Sequence, residues 1–191
     1  MVVLRRKAAA TALLVLLLPT GVARAWADAK GDLENEVKAA FLFNFSKFVE
    51  WPTEAFDGPG DPVALCVAGE SPIGESLDNL VQGATVSSRR LAVHRTRSLA
   101  ELQDCHLVFV PRSERRRQRE ILASLQGRSI LTVGEADGFL TDGGIIRFAL
   151  DQNRVRFEIN RAAAEAGGLK LSSKLLRLAR TVYETQPGQG D

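Results

Sequence analysis

Two hydrophobic periods alternate along the middle of this chain. Short apolar runs at residues 63–68, 91–94, 105–110 and 129–133 are separated by helical patterns at 72–82 and 113–125. Strands alternating with helices imply a largely parallel sheet with helices on its faces, because parallel neighbours are joined by crossovers rather than tight turns. Further on, Ile146, Phe148 and Leu150, then Val155, Phe157 and Ile159, alternate with Arg147, Ala149, Arg154, Arg156 and Glu158. A period of two on both sides of Asp151-Gln152-Asn153 predicts a hairpin with one buried face. Residues 33–51 read as a helix closed by Pro52, and a segment rich in Gly, Pro and Asp at 57–62 breaks the chain. Two helices, about 161–166 and 173–184, end the domain. The expected fold class is α/β: a single domain with a mostly parallel mixed sheet, helices on its faces, and a C-terminal β-hairpin plus helices.

The amino terminus carries Arg5, Arg6 and Lys7, then an apolar run over 8–18, then Pro19 and Gly21. That charged, apolar, small-residue order is a secretory signal, with small residues placed for cleavage after Ala25 or, the preferred site, Ala27. Eleven apolar residues rising ~1.5 Å each cover about half of a ~30 Å hydrocarbon core, too little for a permanent anchor. The expected organisation is a signal peptide at 1–27, one domain at 28–185 and a disordered tail at 186–191, with the mature protein in the periplasm. Residues 1–27 contain Arg5, Arg6, Lys7 and Arg24 and no acid, so 21 of the 25 basic residues remain against 23 acidic ones. The mature net charge of −2 leaves no global field for nucleic acid or an anionic membrane.

Residues that carry chemistry are few. Gly69-Glu70-Ser71-Pro72-Ile73-Gly74 follows a strand and opens a helix, where a nucleophile elbow or a phosphate loop would sit. The second glycine comes one residue too late for G-x-S-x-G, and Glu75-Ser76 stands where a phosphate loop needs Lys-Ser/Thr. The segment reads instead as a helix cap: Ser71 at the N-cap, Pro72 at the first helical position and Glu75 in the first turn. His94, His106, Cys66 and Cys105 are the only histidines and cysteines. Cys105 and His106 are neighbours in an expected strand and point to opposite faces, which argues against a shared zinc ion. No catalytic residue, metal or cofactor is assigned. An even cysteine count in an exported chain reads first as a disulfide, Cys66 to Cys105, since the first and third strands of a doubly wound sheet are often adjacent. A shift in strand register is what could hold their Cα atoms beyond the ~7 Å limit.

Two surfaces are candidates for a partner. In helix 33–51, Val37, Phe41, Phe45, Phe48 and Trp51 form one stripe and read as core, while Leu42 and Phe43 project about 100° and 200° away. A helix apolar on more than one side is either sandwiched within its domain or covered by a partner, and both readings stay open. In the later helix, Arg112, Arg115, Arg116 and Arg119 cluster opposite Ile121 and Leu125. They form a solvated face or a site for an acidic partner or lipid surface.

The runs Glu36-Val37-Lys38-Ala39-Ala40-Phe41-Leu42-Phe43-Asn44-Phe45 and Phe48-Val49-Glu50-Trp51-Pro52 resemble the opening signature of the YfiR family. Leu65-Cys66-Val67, Cys105-His106-Leu107-Val108-Phe109-Val110, Gly138-Phe139 with Gly143-Gly144, Arg156-Phe157-Glu158-Ile159-Asn160 and Leu171-Ser172-Ser173-Lys174 are similar to its later blocks, in order. The resemblance implies a non-catalytic periplasmic negative regulator. Such a protein binds the periplasmic region of an inner-membrane diguanylate cyclase, or a similar signalling protein, and lowers cyclic di-GMP and biofilm formation. It also implies that the repression is released by an outer-membrane lipoprotein partner or by loss of disulfide-supported folding. A homodimer stays open, as does the alternative of a small-molecule-binding sensory protein. Some members carry a second cysteine pair near the Gly143-Gly144 strand, and this chain has none.

Overall fold

In the computed structural model residues 21–187 are described, with side chains from residue 31 onward. Helix α1 (Gly21–Phe48) leads into β1 (Val49–Glu50), then β2 (Val63–Ala68), α2 (Ile73–Val81), β3 (Thr85–Val86) and β4 (Arg89–Thr96). These are followed by α3 (Leu99–Leu102), β5 (Leu107–Val110), α4 (Gln118–Leu125), β6 (Leu131–Gly134), β7 (Ile146–Asp151) and β8 (Arg154–Asn160). The chain ends in α5 (Arg161–Ala166), β9 (Lys170–Leu171), α6 (Ser173–Leu178) and β10 (Thr181–Tyr183). The signal-peptide assignment covers residues outside the described part, except for 21–27 at the start of α1. The first side chain of α1 to be buried, among those described, is Lys38.

Eight strands form one sheet in the order β10-β8-β7-β6-β5-β2-β4-β3. The run β7-β6-β5-β2-β4 is parallel throughout, and antiparallel pairs occur at β7–β8 and β3–β4. The sheet is therefore mostly parallel and mixed, as the alternating periods require. Strand order reverses between β2 and β5, since the chain leaves β2 toward β4 and returns through α3 to β5. Central strands are buried on both faces, which is why they read as unbroken apolar runs. Leu65, Val67, Leu107, Phe109, Leu131 and Val133 meet Ala39, Leu42 and Phe45 of α1 and Ile73 and Leu77 of α2. On the opposite face Cys66, Ala68, Val108 and Val110 meet Leu102 of α3 and Ile121, Leu122 and Leu125 of α4. An aromatic nest of Phe41, Phe45, Phe148 and Phe157, with centroids 5.0–6.1 Å apart, locks α1 onto the β7–β8 hairpin.

Several boundaries differ from expectation, each for a tertiary reason. The first helix ends at Phe48 rather than Trp51, because Val49 and Glu50 pair with Leu171 and Lys170 of β9. The last helix stops at Leu178, and Thr181–Tyr183 joins the sheet as β10 beside β8. The arginine-rich helix starts at Gln118, after a 3-10 turn at Arg112–Glu114. The hairpin turn is Gln152-Asn153, both with positive φ, the conformation a two-residue hairpin needs to match strand twist. Gln186, expected in the disordered tail, is anchored: it accepts from Asn160 Nδ2 at 2.9 Å and donates to the Leu140 carbonyl at 2.9 Å.

Candidate functional site

Both cysteines and His106 have structural partners. Cys66 and Cys105 are bonded to each other with Cα atoms 6.0 Å apart, inside the core between β2, β5 and α4. His106 is buried and uses both ring nitrogens: Nδ1 accepts from the Ala64 backbone N–H at 3.1 Å, and Nε2 lies 2.9 Å from the Ala55 carbonyl, to which it donates. Its ring stacks on Phe56 at 4.3 Å, and the Arg89 guanidinium lies over the Phe56 ring, 3.8 Å from its centroid. Burial, and secondarily the Arg89 charge, hold the His106 pKa below its ordinary value, against the opposing pull of the Ala55 hydrogen bond. His94 is exposed on β4. Among the described residues no three His, Cys, Asp or Glu side chains are grouped to hold a metal ion.

In open α/β sheets a ligand normally sits at the carboxyl ends of the strands where strand order reverses, here between β2 and β5. That crevice is filled from within. Glu114, buried, lies against Gly69, where a Cβ would meet its Oε1 at 2.5 Å. Its carboxylate is held by Arg117 at 3.3 Å and approached by Arg97 at 4.0 Å, and Ser113 donates to the Glu70 carbonyl. Beside it, Glu135 takes Lys38 of α1 through one oxygen and the Arg112 backbone N–H through the other. Burial alone would lower the Lys38 pKa, but hydrogen bonds and charge from Glu135 and Glu34 outweigh it and raise the value. Gly69-Glu70-Ser71 thus leads into a helix that begins at Ile73, one residue later than expected, with Ser71 Oγ 3.5 Å from the Ile73 N–H. Glu114, Arg97 and Arg117 escaped notice in the sequence. Their only local signal is the i,i+3 spacing of Glu114 and Arg117.

A mixed cleft of 620 Å³ lies instead at the amino ends of β6 and β7, between α4 and α5, lined by Arg119, Leu122, Thr132, Asp142, Ile145 and Ala163 among others.

The candidate partner residues separate. Leu42 is 0% exposed and packs in the main core, so it presents nothing to a partner, which corrects the reading of it as a contact. Phe43 is half-buried against the cluster of Val63, Val81, Val86 and Leu91, with Lys47 Nζ 3.7 Å over its ring. The helix is sandwiched within its own domain, and its extra apolar side is met by that cluster. Val37, assigned to the core stripe, sits at the surface with Leu33, which is 61% exposed. Arg112, Arg115, Arg116 and Arg119 are all exposed. Arg112 is tied to Glu135 and Arg119 to Asp142 at 3.0 Å, while Arg115 and Arg116 point outward on the 3-10 turn's exit.

A family model described as YfiR/HmsC-like matches residues 35–180. The chain belongs to this family. The matched span of this YfiR/HmsC-like chain runs from the buried part of α1 to the residue before β10. No curated protein sequence matches it. Among solved structures, it is similar to a conserved domain protein from Vibrio cholerae O1 biovar eltor, with 12% identity and a TM-score of 0.49 over 63% of this chain. It is also similar to the ABC domain in complex with L-Trp from Streptococcus pneumonia, with 12% identity and a TM-score of 0.47 over 64% of this chain. It spans 55% of the length of each of those two chains.

Proposed function

We propose that this YfiR/HmsC-like chain is a periplasmic repressor that binds the periplasmic region of an inner-membrane diguanylate cyclase and so lowers cyclic di-GMP and biofilm formation, performing no catalysis itself. The observation that carries this is the family match over residues 35–180. The exposed Arg115 and Arg116 support an acidic partner, and an outer-membrane lipoprotein relieves the repression. No helix among the described residues is long and apolar enough to cross a membrane, and the apolar run at 8–18 supports export. Deleting the gene in a strain that expresses a candidate cyclase should raise cellular cyclic di-GMP and surface attachment, and restoring it should reverse both. Unchanged cyclic di-GMP with the cyclase expressed sinks the proposal.

The cleft between α4 and α5 favours a second reading, a sensor of a small molecule. A bound species in native mass spectra of protein purified from the periplasm would support it.

A further inference from the structure

We infer that the outer edge of β4 over residues 92–96 is a docking strand that takes up an extended acidic segment of a partner protein by strand addition. β4 is eight residues long and pairs with β2 from Leu91 to Thr96, but on its other side β3 reaches only Arg89 and Arg90. Beyond them, the Leu91 N–H donates to the Ala84 carbonyl, and there the outer pairing stops. Backbone direction alternates along a strand. The Thr96 carbonyl accepts from Gly69 N–H on the β2 side, so the backbone groups of Val93 and Arg95 point outward. His94 and Arg95 are exposed, whereas β2 beside them is buried from Leu65 to Ala68. The result is a free row of donors and acceptors of the kind that β-augmentation uses.

Charge selects the occupant. Residues 89–97 hold Arg89, Arg90, Arg95, Arg97 and His94 and no acid. Arg95 pairs with Asp78 and Arg97 with Glu70 at the surface, where such pairs are weak and exchange readily, and Arg97 also stands 4.0 Å from the buried Glu114 carboxylate. Arg117 donates to the Arg97 carbonyl, which sets the end of β4 beside the segment that carries the exposed Arg115 and Arg116. Two copies of this edge would set arginines opposite arginines, which disfavours self-pairing. An acidic strand gains backbone bonds and charge complementarity together. The inference rests on the repressor proposal, which supplies the partner.

The test uses the purified periplasmic region of the candidate cyclase as probe. Val93→Pro deletes an outward N–H and leaves the β2 pairing intact, a change edge strands accept. It should fold, as read by thermal unfolding, and bind at least roughly tenfold more weakly than wild type. Amide exchange at Val93 and Arg95 should be fast in the free protein and slow in the complex, and Arg90→Glu with His94→Glu should weaken binding. If Val93→Pro does not fold, the exchange measurement on the wild-type complex decides alone. Equal binding by a folded Val93→Pro, or unprotected amides in a formed complex, overturns the docking strand and leaves the repressor proposal standing. A dimer of this chain that Val93→Pro dissolves overturns the acidic occupant. No binding by wild type removes the cyclase as partner and the inference with it.

Discussion

His106 is neutral because both of its nitrogens are committed: a proton on Nδ1 would face the Ala64 N–H that it now accepts. With its pKa lowered by burial, the unfolded chain holds more protons than the folded one as the pH passes through the ordinary value of 6.5. Stability is therefore unaffected by this group well above that pH and is lost as pH falls through it toward the folded value. Thermal midpoints from about pH 7.5 to about pH 5 should drop, and the part due to this residue should vanish in His106→Gln. An equal drop in that variant would place the pH dependence elsewhere. The sequence shows a lone histidine on an apolar strand but not the Ala55 carbonyl, which comes from 51 residues earlier. The glycines are a similar case. Phe139 is fully buried with Gly134 on one side and Gly144 on the other, and a Cβ at either position would enter its ring. Gly144→Ala should cost about 1–3 kcal/mol in denaturant unfolding. Gly138-Phe139 and Gly143-Gly144 were visible as blocks of the resemblance, and the packing that makes them necessary was not.

At the scale of elements, hydrophobic period identified the central strands and α2, whose apolar positions are repeated enough to fix their type. It failed where pairing partners are distant. Val49–Glu50 becomes strand only because β9 lies alongside, and Thr181–Tyr183 only because β8 has a free edge. The β3–β4 hairpin was illegible because its turn is Ser87-Ser88, with φ of 49° and 68°, in place of the Asn-Gly that announces such turns. Helix α1 shows the limit of period alone: it revealed that more than one side is apolar, not what covers the second side. The structure makes the consequence specific. Leu42→Asp should abolish folding by placing a charge in the main core, while Phe43→Asp, at a half-buried position, should fold with a loss of about 1–2 kcal/mol. Circular dichroism and denaturant midpoints separate the two, and a folded Leu42→Asp would refute the packing described. The disulfide belongs to this scale too. It closes a sequence separation of 39 between β2 and the start of β5, so Cys66→Ser with Cys105→Ser should lose about 4 kcal/mol in the chain-entropy view. The even count suggested the pair, and the β2–β5 adjacency makes it possible.

For the whole molecule, a net charge of −2 over residues 28–191 hides an uneven surface. Arginines gather where β4 ends and the chain enters α4, and the glutamate among them, Glu114, is drawn inward against Gly69. A doubly wound sheet whose reversal point is filled by its own side chains is better suited to presenting a surface than to enclosing a substrate there. The proposed repression requires tighter binding to the inactive cyclase state than to the active one. A preference of roughly 3 kcal/mol shifts that equilibrium by about a hundredfold, well within the reach of a modest interface. If the arginine surface makes the encounter, association should be electrostatically steered. The association rate with the cyclase periplasmic region should fall as salt rises, and Arg115→Glu with Arg116→Glu should lower that rate by roughly tenfold or more at low salt. Both arginines are exposed, so the thermal midpoint should stay within a few degrees of wild type. A rate insensitive to salt and to the reversal would mean that the partner meets another face, and the exposed Leu33 and Val37 on α1 would become the first place to look.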